Sequence, residues 1–259
     1  MKRGYADARH GQLHYRRSGE GGRPLILLHQ APSSSVMWVE LLEPLARRGF
    51  DAIAFDLPGL GLSDPWPTDP EVEDYADAIA EGARALGLER YDAFGHHTGC
   101  TVAMVMSVRH APAVERVIGW GIPLVSERHM HQLATEEPPT YDAEGTEILK
   151  SWTEFQRYAR PSSLPWTALR LLVDSMTIEE RRPLAHRAVG RSDQQAICAA
   201  MAVPMLVLAG TREMLRTETE AAAELSEHIT FRELGDCGMF VGDEEPELLA
   251  DVIAEFLAR

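Results

Sequence analysis

The sequence predicts an α/β architecture, a mostly parallel central sheet flanked by helices with a helical insertion. Three observations predict it. Short continuous apolar runs recur along the chain, as in strands buried on both faces. Segments with apolar residues at helical spacing lie between these runs. One long stretch, from Ser126 to about Asp193, interrupts the alternation and contains no convincing strand.

The strand candidates come in order. Leu25–Leu28 follows a Gly-Gly-Arg-Pro turn, and Phe50–Phe55 (FDAIAF) is the second. Tyr91–Phe94, Arg116–Trp120 and Val203–Ala209 follow, with a weaker run at Ile229–Leu234. Helical patterns separate them. Val39–Arg48 carries Leu41, Leu42 and Leu45 on one face, and Glu73–Leu86 carries Tyr75, Ile79, Ala83 and Leu86. Gly99–Arg109, Thr219–Ser226 and Pro246–Leu257 complete the set. Strand–helix alternation of this kind implies βαβ units. The interrupting stretch is rich in Trp, Phe and Tyr and divided by prolines, so it reads as several short helices. The expected organisation is a core domain of residues 1–125 and 194–259 with a helical cap at 126–193.

The chain has 259 residues, which suits one α/β domain with an insertion. Lys plus Arg is 25 and Asp plus Glu is 40, a formal charge of −15. That balance argues against nucleic acid and anionic membranes as partners. The three cysteines form no CxxC pair, which fits a reducing compartment, and the expected location is cytoplasmic. No apolar leader precedes the first strand candidate, and no apolar run is long enough to span a bilayer.

The chemistry concentrates in one segment. Gly95-His96-His97-Thr98-Gly99 lies directly after a strand candidate and directly before a helical one. A small-x-x-x-small segment in that setting is a nucleophile elbow, whose central side chain projects at the top of the sheet. Further segments support this. His29-Gln30-Ala31-Pro32 resembles an HGxP oxyanion loop, with Gln in place of Gly. Asp56 to Asp64 reads DLPGLGLSD, matching DxxGxGxSD. Gly210-Thr211-Arg212-Glu213 resembles the strand end that supplies an acid. Gly238-Met239-Phe240 with Glu244 to Glu247 resembles the G-H-F…E-x-P-E segment that supplies a histidine.

On these segments the chain resembles the α/β-hydrolase fold superfamily over nearly its whole length. The resemblance places a nucleophile at position 97, an acid at 213 and a histidine at 239. Here those positions hold His97, Glu213 and Met239. It also implies a cap at Ser126–Asp193, and it leaves a homodimer open, since members are often dimeric.

Ser-His-Asp catalysis needs an oxygen nucleophile and a base beside it. Position 97 lacks the first, and the Met239 thioether takes no proton at neutral pH. His97 instead suits a general acid/base, worth about 10²–10⁴-fold when well placed. The backbone N–H groups of Gln30 and Thr98 are the expected oxyanion donors. His29 is expected to brace the oxyanion loop and His96 to be structural. Met239 and the cap aromatics Trp152, Tyr158 and Trp166 are candidates for the pocket wall. Whether Glu213 meets His97 is not decided by spacing.

The leading expectation from the sequence is a cofactor-free, non-hydrolytic enzyme of secondary metabolism acting on a small apolar molecule. Its class would be acid/base C–C bond formation or cleavage, cyclisation or a lyase step. A non-catalytic binding protein and an unconventional esterase or lactonase are the alternatives. No histidine pattern carries metal-ligand spacing, and no dinucleotide fingerprint is present, so neither metal nor cofactor is expected.

Overall fold

The computed structural model describes residues 1–163, 165–178 and 181–258. Leu164, Glu179 and Glu180, within the stretch read as a cap, lie outside the described residues.

The chain opens with a hairpin, β1 (Lys2–Ala8) and β2 (Gly11–Ser18). Next come β3 (Arg23–Leu28), α1 (Val39–Arg47), β4 (Phe50–Phe55) and α2 (Val72–Ala85). β5 (Tyr91–His96), α3 (Thr98–Arg109) and β6 (Val114–Trp120) follow. Five helices then intervene: α4 (Glu127–Ala134), α5 (Thr146–Tyr158), α6 (Trp166–Met176), α7 (Leu184–Arg191) and α8 (Gln194–Ala199). The chain closes with β7 (Met205–Ala209), α9 (Arg216–Ala222), β8 (Ile229–Glu233), α10 (Val241–Glu244) and α11 (Pro246–Leu257).

The strands form one eight-stranded sheet in the order β1-β2-β4-β3-β5-β6-β7-β8. β2 is antiparallel to β1 and β4, and every other pairing is parallel. The period-two alternation of strand side chains explains why the central runs are apolar throughout. Ile26, Leu28, Ile53 and Phe55 join α2 and α3 on one face. Leu25, Leu27, Ala52 and Ala54 join α1 and α11 on the other. Helix α3 is buried from Thr98 to Ser107, so it reads as apolar rather than amphipathic.

The hairpin was not expected from the sequence. Of β1 only Ala6 is buried, because the strand is an edge with one face in solvent. Such a strand alternates polar residues and carries no apolar run. Its signal was Gly11, which turns the hairpin at φ 138°.

Helices α4 and α7 pack together, as do α5 and α6, while α8 lies on α3. The Thr101 hydroxyl on α3 donates to Gln194 Oε1 at 3.1 Å. No described helix is long and apolar enough to cross a membrane.

Candidate active site

The strands of a parallel sheet all end on one side, and the site is assembled there. β5 ends at His96 and α3 begins at Thr98, so His97 occupies the turn alone, at φ 46° and ψ −109°. Among the described residues it is the one non-glycine residue with positive φ. Such a conformation costs on the order of 1–3 kcal/mol and persists where the surroundings enforce it. The flanks show the enforcement. A Cβ on Gly95 would lie 2.1 Å from the Gly99 carbonyl oxygen, and one on Gly99 would lie 2.2 Å from that of Leu28. Both obstacles are backbone, which no rotamer change removes. Gly99→Ala is therefore expected to destabilise the fold by about 1–3 kcal/mol, read as a lowered denaturation midpoint. An unchanged midpoint would mean that the elbow has room to spare.

The His97 ring reaches toward the end of β7. Its Nε2 lies 2.8 Å from Oε1 of Glu213, which follows β7 in the turn closed by Glu213 N–H donating to Gly210 at 3.0 Å. The Glu213 carboxylate is fully enclosed, whereas the His97 side chain keeps 13% of its surface exposed. Oε1 also accepts the Leu215 N–H at 3.1 Å, and Oε2 accepts the Trp120 indole N–H at 2.6 Å. Burial alone would raise the Glu213 pKa. The charge and hydrogen bond of His97, with help from the Leu215 N–H, outweigh burial and hold the carboxyl at about 2. An ionised Glu213 accepts only, so the network assigns the proton to His97 Nε2. Among the described residues Nδ1 has no hydrogen-bond partner, and His97 lines the cavity.

His96 stacks on His97, with ring centroids 4.3 Å apart and planes at 23°. It is fully buried, and neither ring nitrogen makes a hydrogen bond of normal geometry. Burial pushes its pKa well below the ordinary histidine value, reinforced by the charge of His97, so His96 is neutral. The ligand atoms of His96, His97 and Glu213 lie within 4.8 Å of one another. A shared metal ion does not fit this arrangement. An ion must lie in both imidazole planes, and stacked rings direct their lone pairs side by side.

Two turns bring Gln30 and Thr98, the expected oxyanion donors, to the cavity. Thr98 is the first residue of α3, and the first amides of a helix have no acceptor within it. Gln30 follows β3, and both Gln30 and Thr98 line the cavity. His29 fixes this loop: its Nδ1–H donates to the Gln30 carbonyl at 2.8 Å, and its Nε2 accepts the Leu57 N–H at 2.9 Å. Burial lowers the His29 pKa against the pull of Asp56, which agrees with a neutral ring donating once and accepting once.

The inserted helices hold the same loop from outside. Asp174 on α6 accepts from the Ser33 hydroxyl at 3.0 Å and the Ser34 hydroxyl at 2.8 Å. His186 on α7 donates from Nε2 to the Ala31 carbonyl at 3.1 Å, and its Nδ1 lies 2.7 Å from Glu136. Neither Asp174 nor His186 is visible as a site residue in the sequence, because their partners are far along the chain.

The cavity has a volume of about 590 Å³. Its buried wall includes Gln30, Thr98, Phe155 and Met239, and Tyr158 also lines it. Charged groups line it as well, among them Glu136, Glu147, Lys150, Glu154 and Arg182. Two expected wall residues are corrected. Trp166, the first residue of α6, is 74% exposed and does not line the cavity. Trp152 packs half-buried against the cluster of Phe155, Leu171 and Met239 and does not line it either. Of the expected aromatics Tyr158 lines the cavity, joined by Phe155 of the same helix α5. Trp166→Ala is expected to change kcat and KM by no more than about twofold, as for exposed positions generally. A larger change in KM would put the indole in the binding path.

Trp120 and Gly121 are further site residues that sequence reasoning missed. Their one signal was a glycine directly after a strand candidate.

The model of the alpha/beta hydrolase fold family matches residues 23–194. The chain belongs to this family of enzymes. It is 24% identical to the soluble epoxide hydrolase of Corynebacterium sp. (strain C12) over 95% of this chain and 94% of that one. It is 34% identical to the N-formylmaleamate deformylase of Pseudomonas putida over 40% of this chain and 39% of that one. Among solved structures, the enol-lactonase of Burkholderia xenovorans LB400 superposes with a TM-score of 0.80 at 19% identity, covering 99% of this chain and 100% of that one.

These relatives overturn the expectation of a non-hydrolytic C–C lyase or cyclase of secondary metabolism, since hydrolases surround the chain. The expectation equated loss of the serine with loss of hydrolysis. A base facing an oxyanion hole serves attack by water as well as proton abstraction from carbon.

Proposed function

We propose that the chain is a hydrolase of ester or lactone bonds that activates water at His97. The observation that carries this reading is the 2.8 Å contact between Nε2 of His97, a cavity-lining residue, and Glu213; Nδ1, which has no hydrogen-bond partner among the described residues, is read as the base. The substrate carbonyl sits against the amides of Gln30 and Thr98. Nδ1 takes a proton from water as the water oxygen bonds to the carbonyl carbon. The tetrahedral oxyanion is stabilised by the two amides, and the imidazolium by Glu213. Collapse breaks the bond to the leaving oxygen, which receives the proton from Nδ1. Water is consumed, and acid and alcohol are produced. Met239 takes no part in proton transfer and shapes the wall. The substrate is a small molecule held between the strand ends and the inserted helices, which act as its cap.

Hydrolytic relatives on all sides support the reaction class, and the enclosed carboxylate supports the base. The test is a panel of small esters and lactones assayed for acid release. Turnover by the wild-type chain is expected on part of the panel. Absence of turnover throughout would refute the reading.

A further inference from the structure

We infer that Trp120 and Gly121 form a positioning pair that makes an imidazole workable at the elbow. The inference rests on the reading of His97 as the base. Two physical problems arise when an imidazole occupies this position. The ring needs space beside the turn, and its partner carboxylate needs a fixed orientation.

Gly121 answers the first. It follows β6 at φ 66°, and a Cβ there would lie 2.3 Å from Cδ2 and 2.5 Å from Nε2 of His97. The same Cβ would stand 3.4 Å from Glu213 Oε1. The missing side chain is thus the space that the ring edge occupies, at the edge that carries the hydrogen bond. The backbone is tied to both neighbours: the His97 N–H donates to the Trp120 carbonyl at 2.9 Å, and the Gly121 N–H donates to Leu208 at 3.2 Å.

Trp120 answers the second. A carboxylate held at one oxygen can rotate, and rotation would swing Oε1 away from the imidazole. The indole N–H binds the other oxygen at 2.6 Å from a fully buried ring. Trp120 is locked in turn at the end of β6, paired with His96 on β5. His97 and Trp120 therefore grip opposite oxygens of one enclosed carboxylate. Neither Trp120 nor Gly121 lines the cavity, so both act through the His97–Glu213 pair.

The test uses the full-length protein and two readouts. The first is the downfield imidazole proton of His97 in ¹H NMR, which needs no substrate and survives failure of the ester reading. The second is kcat and KM on the best ester or lactone, if one is found. Trp120→Phe keeps an aromatic ring and removes the donor. It is expected to broaden the imidazole proton and speed its exchange with solvent, and to lower kcat about tenfold at unchanged KM. Gly121→Ala is expected to abolish that proton signal and lower kcat about 10²-fold. Should Gly121→Ala fail to fold, Trp120→Phe decides alone. An unshifted, equally sharp imidazole proton in folded Trp120→Phe would overturn the inference.

Discussion

His97→Ala is expected to lower kcat about 10²–10⁴-fold, the contribution of a well-placed general base. KM should move little, because the imidazole is one part of a large cavity wall. The fold should lose some stability, since the enclosed Glu213 carboxylate loses the partner that outweighs its burial and keeps only the N–H groups of Trp120 and Leu215. His97→Ser is the informative companion. It restores the usual oxygen at the elbow but leaves Met239 where a base would stand, so no group remains to take its proton. Both variants should be inactive to a similar degree. Activity in His97→Ser at or above the wild-type level would show that another base is present.

Glu213→Gln is expected to lower kcat to a comparable extent, roughly 10²–10⁴-fold as for other imidazole-orienting acids. Its geometry explains why an isosteric change is severe. The carboxylate accepts from three donors: His97, Leu215 and Trp120. A carboxamide must turn its NH₂ toward one side or the other. Facing Trp120, it sets donor against donor in a buried site. Facing His97, it forces the proton onto Nδ1 and removes the base from the cavity. The variant also changes acid stability in a defined direction. The folded-state carboxyl titrates at about 2, below its ordinary 4.5. Its ion therefore stabilises the fold fully above about pH 4.5, and this is lost as pH falls toward 2. Glu213→Gln should be less stable than wild type at neutral pH, with the gap closing in that window. A gap independent of pH from neutral to 2 would contradict the ionised, charge-paired carboxylate.

Much of the architecture was legible in the sequence because buried parallel strands must be apolar on both faces. Phe50–Phe55 and Pro246–Leu257 emerge with the bounds that the pattern implies. The hairpin β1–β2 was hidden because a solvated edge strand carries no such run. At the site, the elbow and the position of Glu213 were legible, since each lies in a local segment with a steric reason for its glycines, Gly95 and Gly99 at the elbow and Gly210 before Glu213. The contact between His97 and Glu213 was not, because its partners are 116 residues apart and the bond depends on how two strand ends align. Gly121 was missed for a related reason: its role lies in a volume it leaves empty, which only the neighbouring strand defines. Trp166 was misplaced because an aromatic residue in an inserted helix is as compatible with the outer face as with the inner one.

The most direct test of water activation at His97 is the intact protein mass, recorded by rapid quench during turnover of the best ester or lactone substrate. A general base leaves no covalent trace, so the predicted result is the unmodified mass with no burst of alcohol release. A mass increased by the acyl group, removed by His97→Ala, would show that the imidazole itself attacks the carbonyl and would contradict the account.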